Sequence, residues 1–481
     1  MRYPAVHLAI VISATALLSE AQAAVTISSA ATANMTCSGG VCAPTAKNAV
    51  LNIGDLEALL ASGNVTVTTT GTGVQASDIA TKAALTWSSA GALSLLANKS
   101  LTVNNPVSVA GLGGLEIATE KKGTFSFGKK GNVTFANLSS PLSINGAAYT
   151  LVGDLKTLSS DIAASPGGDF ALAGSYNAGA DGTYQFSPIG TVFTGTFEGL
   201  GNAISNLSIA KPTLVNGIWY EGLFAEIGLN GAIDNIGLVN ASIAGAPKSY
   251  HHIFDAPLAG FNDGAVTSSY ATGTVTVGKE SLGGGLIGDN DGTILNSYAA
   301  TNVIGIKTTH TYEGGLVGQN DEDGLIEDSY ATGNVVAEDS YAGIGGLVAF
   351  NNGTIRDSYA TGSAMGLDYS DVGGLVGSNY GLINGSYSMG SVEGISGFSY
   401  FGGLIGNDEA QAGSITDTYW DTDTSGQDQG AGNIANDPGI TGLTTAQFQS
   451  GLPAGFDPKV WAEKSNIDDG FPYLLANKPG K

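Results

Sequence analysis

Three sets of residues in this 481-residue chain have side chains that could do chemistry. The first is a group of carboxylates in Asn- and Gly-rich stretches: Asp289, Asp291, Asp321, Glu322, Asp323 and Asp328. Two carboxyl groups held about 5–9 Å apart can act as acid and base on a glycosidic bond. Asp beside Gly is also what a tight turn selects for its backbone geometry. A catalytic pair needs no copies, so the turn role is the expectation and polysaccharide cleavage the alternative. The second set is "DTDTSGQDQG" (421–430), where Asp421, Asp423, Ser425 and Asp428 could offer oxygens to calcium. Its twelfth position is Gly432, where a calcium-binding EF-hand loop needs Glu. A plain turn is expected there, with weak calcium binding left open and no other cofactor. The third set is the four histidines, His7, His251, His252 and His310. None opens the His-Glu-x-x-His pattern of a zinc peptidase. "SYHHIFD" (249–255) brings His251 and His252 near Asp255, but a metal needs more ligands. A polar loop is the expected reading.

The tyrosines are more regular. Tyr270, Tyr298, Tyr330, Tyr359, Tyr387 and Tyr419 recur at intervals of 28 to 32 residues inside copies of "SYATG". Between them stands a second motif, "GGLIG" (284–288), "GGLVG" (314–318), "GGLVA" (345–349), "GGLVG" (373–377) and "GGLIG" (402–406). A turn with Asn, Asp or Gly follows, then a short apolar step such as "GTILN" or "GTIRD". One unit reads as a short strand, a variable loop, a second strand, a turn and a third short strand. Such a unit cannot bury its apolar face alone, whereas stacked copies can. The expected fold is all-β: a right-handed parallel β-helix, or solenoid, with short capping helices and adjacent coils about 4.8 Å apart. A β-propeller is the alternative, although its blades need four strands each. The paired glycines predict a tight corner with positive φ or close packing.

Degenerate coils precede the array, in "GNAISNLSIA" (201–210) and "GAIDNIGLVNASIAG" (231–245). Aligning them places Asn206, Asn235, Asn296, Asp328, Asp357 and Asp417 at one position, a corner ladder of stacked polar side chains. The Tyr position tolerates Ser208 and Gly237 between apolar neighbours, so the tyrosines are expected to face outward as an exposed binding stripe. The alternative is an internal aromatic ladder filling the core. Helical spacing marks 55–63 and 151–165, and a short helix is expected near 444–450.

The Gly-Gly-Leu units with "DSYATGNV" resemble the GLUG repeat. "FTGTFEGLGNAISNLSI" (193–209) and "YWDTDTSG" (419–426) are similar to segments flanking such arrays in filamentous-haemagglutinin-like bacterial surface proteins. The resemblance covers roughly 145–475. It implies a non-catalytic, adhesin-like protein whose partner is a host or neighbouring-cell glycan or a surface protein. GLUG repeats also occur in some zinc peptidases that cut immunoglobulin, but those carry the His-Glu-x-x-His helix. The N-terminal third departs from the haemagglutinin pattern, its one Asn-Pro being Asn105–Pro106. A β-helical polysaccharide lyase or glycoside hydrolase, or a purely structural spacer, remains as the alternative.

Arg2, the apolar run 5–18 and "AQA" (21–23) read as a secretory signal peptide. The expected destination is secreted, cell surface or periplasm, without membrane insertion. Cys37 and Cys42 suit a small disulfide loop in that oxidising setting. The net charge of −24 repels nucleic acid. The expected organisation is a signal peptide (1–23), an irregular β-helical region (24–145), a helix with degenerate coils (146–255), the repeat array (256–425) and a cap over the last coil (426–481).

Overall fold

A computed structural model of the chain describes residues 24–72, 74–120, 123–245, 253–306, 310–338, 340–395 and 397–479. The expected signal segment lies outside the described residues, as do His251 and His252. The chain is a parallel β-solenoid. One 16-stranded sheet runs along it from Met35–Ser38 to Ile415–Thr416.

The first coils carry three strands each. Leu93–Ala97, Leu101–Val103 and Val107–Val109 make one turn, and Leu115–Thr119, Phe125–Phe127 and Val133–Phe135 make the next. They pair in parallel, with Leu95 over Ile117, Val103 over Phe127 and Val109 over Phe135. Every second residue points inward, and each fully buried Leu, Ile or Val contributes about 1.5–3 kcal/mol. The open N-terminal edge is covered by the hairpin Met35–Ser38 with Val41–Pro44, stapled by the Cys37–Cys42 disulfide. Covered edges do not recruit other chains. The helix Ile53–Ser62 starts where the Asn52 side chain accepts from the Gly54 and Asp55 amides, and it buries Leu56 and Leu60.

At Asn145 and Gly146 the chain turns back, both with positive φ, 51° and 85°. Leu142–Ile144 then pairs antiparallel with Ala147–Val152. The next strand, Asp169–Leu172, is buried on both faces. Ala171 packs into the N-terminal core, and Phe170 and Leu172 into the C-terminal one. Strand direction and core side thus change together. The two changes cancel, so both halves wind with the same hand, which parallel crossovers strongly prefer to be right-handed. The second helix is Leu155–Ala164, capped by Asp154, with Leu155, Leu158 and Ile162 buried. Leu151, expected in that helix, belongs to the preceding strand.

The repeat coils have more corners than the sequence reading gave them. The Gly-Gly-Leu segment spans two strands, such as Tyr312–Gly314 and Val317–Asn320, with the first glycine ending one and Gly315 and Leu316 between them. The reason is close packing, not positive φ: a Cβ added at Gly314 would collide with the Val317 carbonyl oxygen. Each coil then runs through Leu325–Glu327 to the tyrosine strand. The core is a column of equivalent residues, including Ile294, Ile326, Ile355 and Ile383.

Two buried polar ladders lock the register. Asn262, Asn290, Asn320, Asn351 and Asn379 each donate Nδ2–H to Oδ1 of the next coil at 2.7–2.9 Å, ending on Asp408. The serines of the "SYATG" copies form the other. Ser297, Ser329, Ser358 and Ser386 each accept from the amide of the equivalent serine one coil earlier, at 3.1–3.3 Å. Ser297, Ser329, Ser358 and Ser386 also donate to the carbonyl two residues back at 2.8–2.9 Å.

Candidate functional site

The corner position behaves differently from a ladder. Asn206, Asn235, Asn296, Asp328, Asp357 and Asp417 all adopt left-handed backbone, with φ between 45° and 56°. Asn and Asp tolerate that region best among residues with a Cβ. Backbone conformation therefore selects them. Asn206 belongs to a different row from the other five, against the sequence alignment: Ser205 pairs with Val239, so Asn206 stands beside Asn240, and Ser208 pairs with Ser242, outside the tyrosine row. In that row Asn206 Nδ2 donates to Asn177 Oδ1 at 2.9 Å and Asn240 Nδ2 to Asn206 Oδ1 at 2.7 Å. Asn296 Oδ1 and Asp328 Oδ1 are buried without a hydrogen bond.

Beyond each corner, Ser and Ala point into the core and Tyr points out of it. Ala299, Ala331 and Ala360 belong to the central core, whereas Tyr330, Tyr359, Tyr387 and Tyr419 belong to a separate cluster. Their rings stack face to face: Tyr270 on Tyr298, Tyr298 on Tyr330, Tyr330 on Tyr359 and Tyr359 on Tyr387, with centroids 4.8–5.0 Å apart. The expected exposure fails for most of them. Tyr330, Tyr359, Tyr387 and Tyr419 are buried, and Tyr270 and Tyr298 are half-buried.

The cover is the C-terminal segment. Strand Ile440–Leu443 pairs with Thr418–Asp421 and closes that edge of the last coil. From Thr444 the chain leaves the end and runs back along the outside of the stripe. Phe448, Phe456, Trp461, Phe471 and Leu474 pack on the tyrosines. Tyr387 donates its hydroxyl to the Pro472 carbonyl and Tyr419 to that of Ala454, both at 2.6 Å. Asn477 reaches the Ser297 and Asp328 carbonyls at 3.1 and 3.2 Å. What sequence reasoning took for an end cap is mainly a lateral strap.

The calcium-loop candidates are used elsewhere. Asp421 caps the short helix Thr422–Ser425, accepting from the Asp423 and Thr424 amides, and its other oxygen accepts from Thr445 Oγ1 at 2.7 Å. Asp423 accepts from the Thr445 amide at 3.0 Å, which ties body to strap. Among the described residues, no three His, Cys, Asp or Glu side chains could together hold a metal ion. Asp255 is fully buried, beside Glu221 of the preceding coil. Burial pushes the Glu221 carboxyl up to about 9, with Asp255 adding to it, and burial pushes Asp255 up to about 7 against a hydrogen bond from the Gly278 amide.

The carboxylate set divides. Asp291, Asp321, Glu322 and Asp323 line one open depression of about 650 Å³ with Asn352 and Tyr380. Asp289 is buried and outside its lining, and Asp328 sits at the corner, where its carbonyl accepts from Asn477 of the strap. The sequence reading missed a second aromatic column. His310, Tyr341, Tyr369 and Phe398 stack with centroids 4.7–5.3 Å apart. All four are exposed, Phe398 at 78%. His310, Tyr341 and Tyr369 hold positive φ of 64°, 66° and 59°. The available signal was an aromatic or His four residues before the Gly-Gly pairs that begin at 314, 345, 373 and 402.

Residues 310–336 match the family model of the GLUG motif. Halomucin of Haloquadratum walsbyi (strain DSM 16790 / HBSQ001) is 29% identical over 304 residues, 62% of this chain. The chain spans about 3% of the length of halomucin. Two solved structures share partial likeness. An IgA1 protease has 21% identity and a TM-score of 0.40 over 54% of this chain and 20% of its own. A candidate immunoglobulin A1 protease from Bacteroides ovatus has 18% identity and a TM-score of 0.43 over 69% of this chain and 93% of its own.

Proposed function

We propose that this GLUG-motif solenoid is an exported, surface-exposed, non-catalytic protein with an adhesin-like role, binding a glycan or protein of a host or neighbouring cell. The observation that carries the reading is the exposed column His310–Tyr341–Tyr369–Phe398. A side chain in left-handed backbone costs about 1–3 kcal/mol, and such strain concentrates at functional sites. Here it recurs in successive coils and holds large rings in water. The stacked rings occupy one another's faces. A partner therefore meets their edges, two tyrosine hydroxyls and the free face of Phe398, a surface that is apolar with a wet rim.

The lack of His-Glu-x-x-His leaves zinc peptidase chemistry without its usual ligands in this sequence. The test is a binding screen of residues 24–481 against glycans and extracellular proteins, with and without calcium. A ligand whose affinity falls at least tenfold in Tyr369→Ala and Phe398→Ala supports the reading. Ligands that bind these variants and the parent equally would remove the column from the function, and an empty screen would leave the spacer reading.

A further inference from the structure

The strap is attached differently from the coils it covers. Among the described residues, no backbone-to-backbone hydrogen bond joins 444–479 to the solenoid, and Ile440–Leu443 is the last strand to pair with it. Within itself the strap is organised. Trp461–Ala462 runs antiparallel to Tyr473–Leu474, and Thr444 opens a short helix through a capping box with Gln447. What holds it down is aromatic packing and side-chain bonds, such as those of Tyr387, Tyr419 and Asn477. A segment attached in this way can lift about Thr444 without breaking a sheet.

The covered face is also incompletely satisfied. Asn296 Oδ1 and Asp328 Oδ1 at the corners, the Tyr359 hydroxyl on the stripe and Asp468 Oδ2 on the strap are buried without a hydrogen bond. Such groups cost stability that water restores once they are uncovered. Two of the four are carboxylates, one on the solenoid and one on the strap. Asp468 has Asp469 beside it, and Tyr359 and Tyr387 face it. Asp328 has Asp357 and Glu327 as neighbours, offset in part by Arg356, which pairs with Glu327 at 3.1 Å. Burial first, and then the neighbouring acids, push both carboxyls up to about 6. The closed strap therefore holds protons that the open one releases. Closure is strongest below the ordinary carboxylate range and weakens as pH climbs through the raised values. We propose that the strap is a releasable cover, closed over the tyrosine stripe in acid and lifting toward neutral pH, so that Tyr330, Tyr359, Tyr387 and Tyr419 join the half-buried Tyr270 and Tyr298 as one aromatic face. The exposed column from His310 to Phe398 plays no part in this movement.

Amide hydrogen exchange of the full chain is followed by mass spectrometry at pH 4.5 and pH 7.5, each rate divided by that of an unstructured peptide at the same pH. Protection within 445–479 should fall about tenfold or more at the higher pH, while the coil strands around Ile326, Ile355 and Ile383 keep theirs. Asp328→Asn with Asp468→Asn should hold the strap closed at pH 7.5, and each change alone should remove part of the fall. Both positions have left-handed backbone, with φ of 51° and 49°, which Asn accepts as well as Asp, and circular dichroism checks the fold. Glu221→Gln, which alters a different buried acid, should leave the exchange of the strap unchanged. The proposal is overturned by strap protection that changes less than this between the two pH values, by a fall that survives the double Asn change, or by strap and coils losing protection together.

Discussion

Trp461 donates its indole Nε1–H to Asp357 Oδ1 at 2.9 Å, although 104 residues separate them. The bond joins the middle of the strap to a left-handed corner of the repeat, and the indole lies on Tyr359 and Tyr387 at centroid distances of 5.9 and 5.8 Å. Trp461→Ala should cost about 3–5 kcal/mol of stability through the cavity it leaves. Limited proteolysis should then cut within 444–479 before the solenoid is touched. Simultaneous loss of strap and coils in one transition would show that the two are a single cooperative unit.

Two stacked tyrosines should respond in opposite ways to losing a hydroxyl. The Tyr359 hydroxyl is buried without a hydrogen bond, whereas that of Tyr387 donates to Pro472. Tyr359→Phe should be neutral or stabilise by up to about 1 kcal/mol, and Tyr387→Phe should destabilise by about 0.5–1.5 kcal/mol. Urea titrations of both proteins read the difference.

Asn320 accepts from Asn290 and donates to Asn351 inside the fold. Asn320→Ala strands a donor on one side and an acceptor on the other, each costing about 1–3 kcal/mol. Thermal melts should show this loss. Asn320→Asp should be worse at neutral pH, because a carboxylate cannot donate to Asn351 and would be charged where nothing compensates it.

Stability should fall as pH rises. Glu221 and Asp255 have folded pKa values raised to about 9 and about 7, mainly by burial. A raised value means the unfolded chain releases its protons first. The stabilisation is therefore complete below the ordinary carboxylate range and is lost as pH climbs through the folded values. Melting temperature should decline between about pH 4.5 and pH 9. Glu221→Gln should flatten that decline, raising the melting temperature at pH 8 more than at pH 4. An unchanged slope in the variant would assign the decline to other groups.

Asp421 caps the helix Thr422–Ser425 with its side chain. Asp421→Ala should cost about 0.5–2 kcal/mol, the usual price of a lost N-cap side chain. Calcium should leave the melting temperature of the parent unchanged; a rise that disappears in the variant would assign calcium to this loop.

The repeat, the parallel stacking, the register of Tyr on Tyr and the inward Ala were all legible in the sequence, because a solenoid writes each coil beside its own copy. The corner was legible as a position, since Asn, Asp and Gly substitute there, but its cause was backbone conformation. The buried asparagine ladder was visible only as turn residues such as Asn290 and Asn351, because nothing in their spacing says that the side chain points inward. The column from His310 to Phe398 stands at a fixed four residues before its Gly-Gly pairs, so its spacing was legible, but the residue type changes from His to Tyr to Phe and only the structure shows the rings stacked.

The sequence by itself determined which residues recur on which row, since period-two alternation and a coil of about thirty residues act locally. Only the tertiary structure decided which outward row meets solvent. Tyr359 and Tyr369 both point away from the core, yet one is fully buried and the other 40% exposed. The difference is a strap that Trp461 and Phe448 bring back across the first row. No local pattern encodes it, because burial there depends on residues about a hundred positions further along the chain.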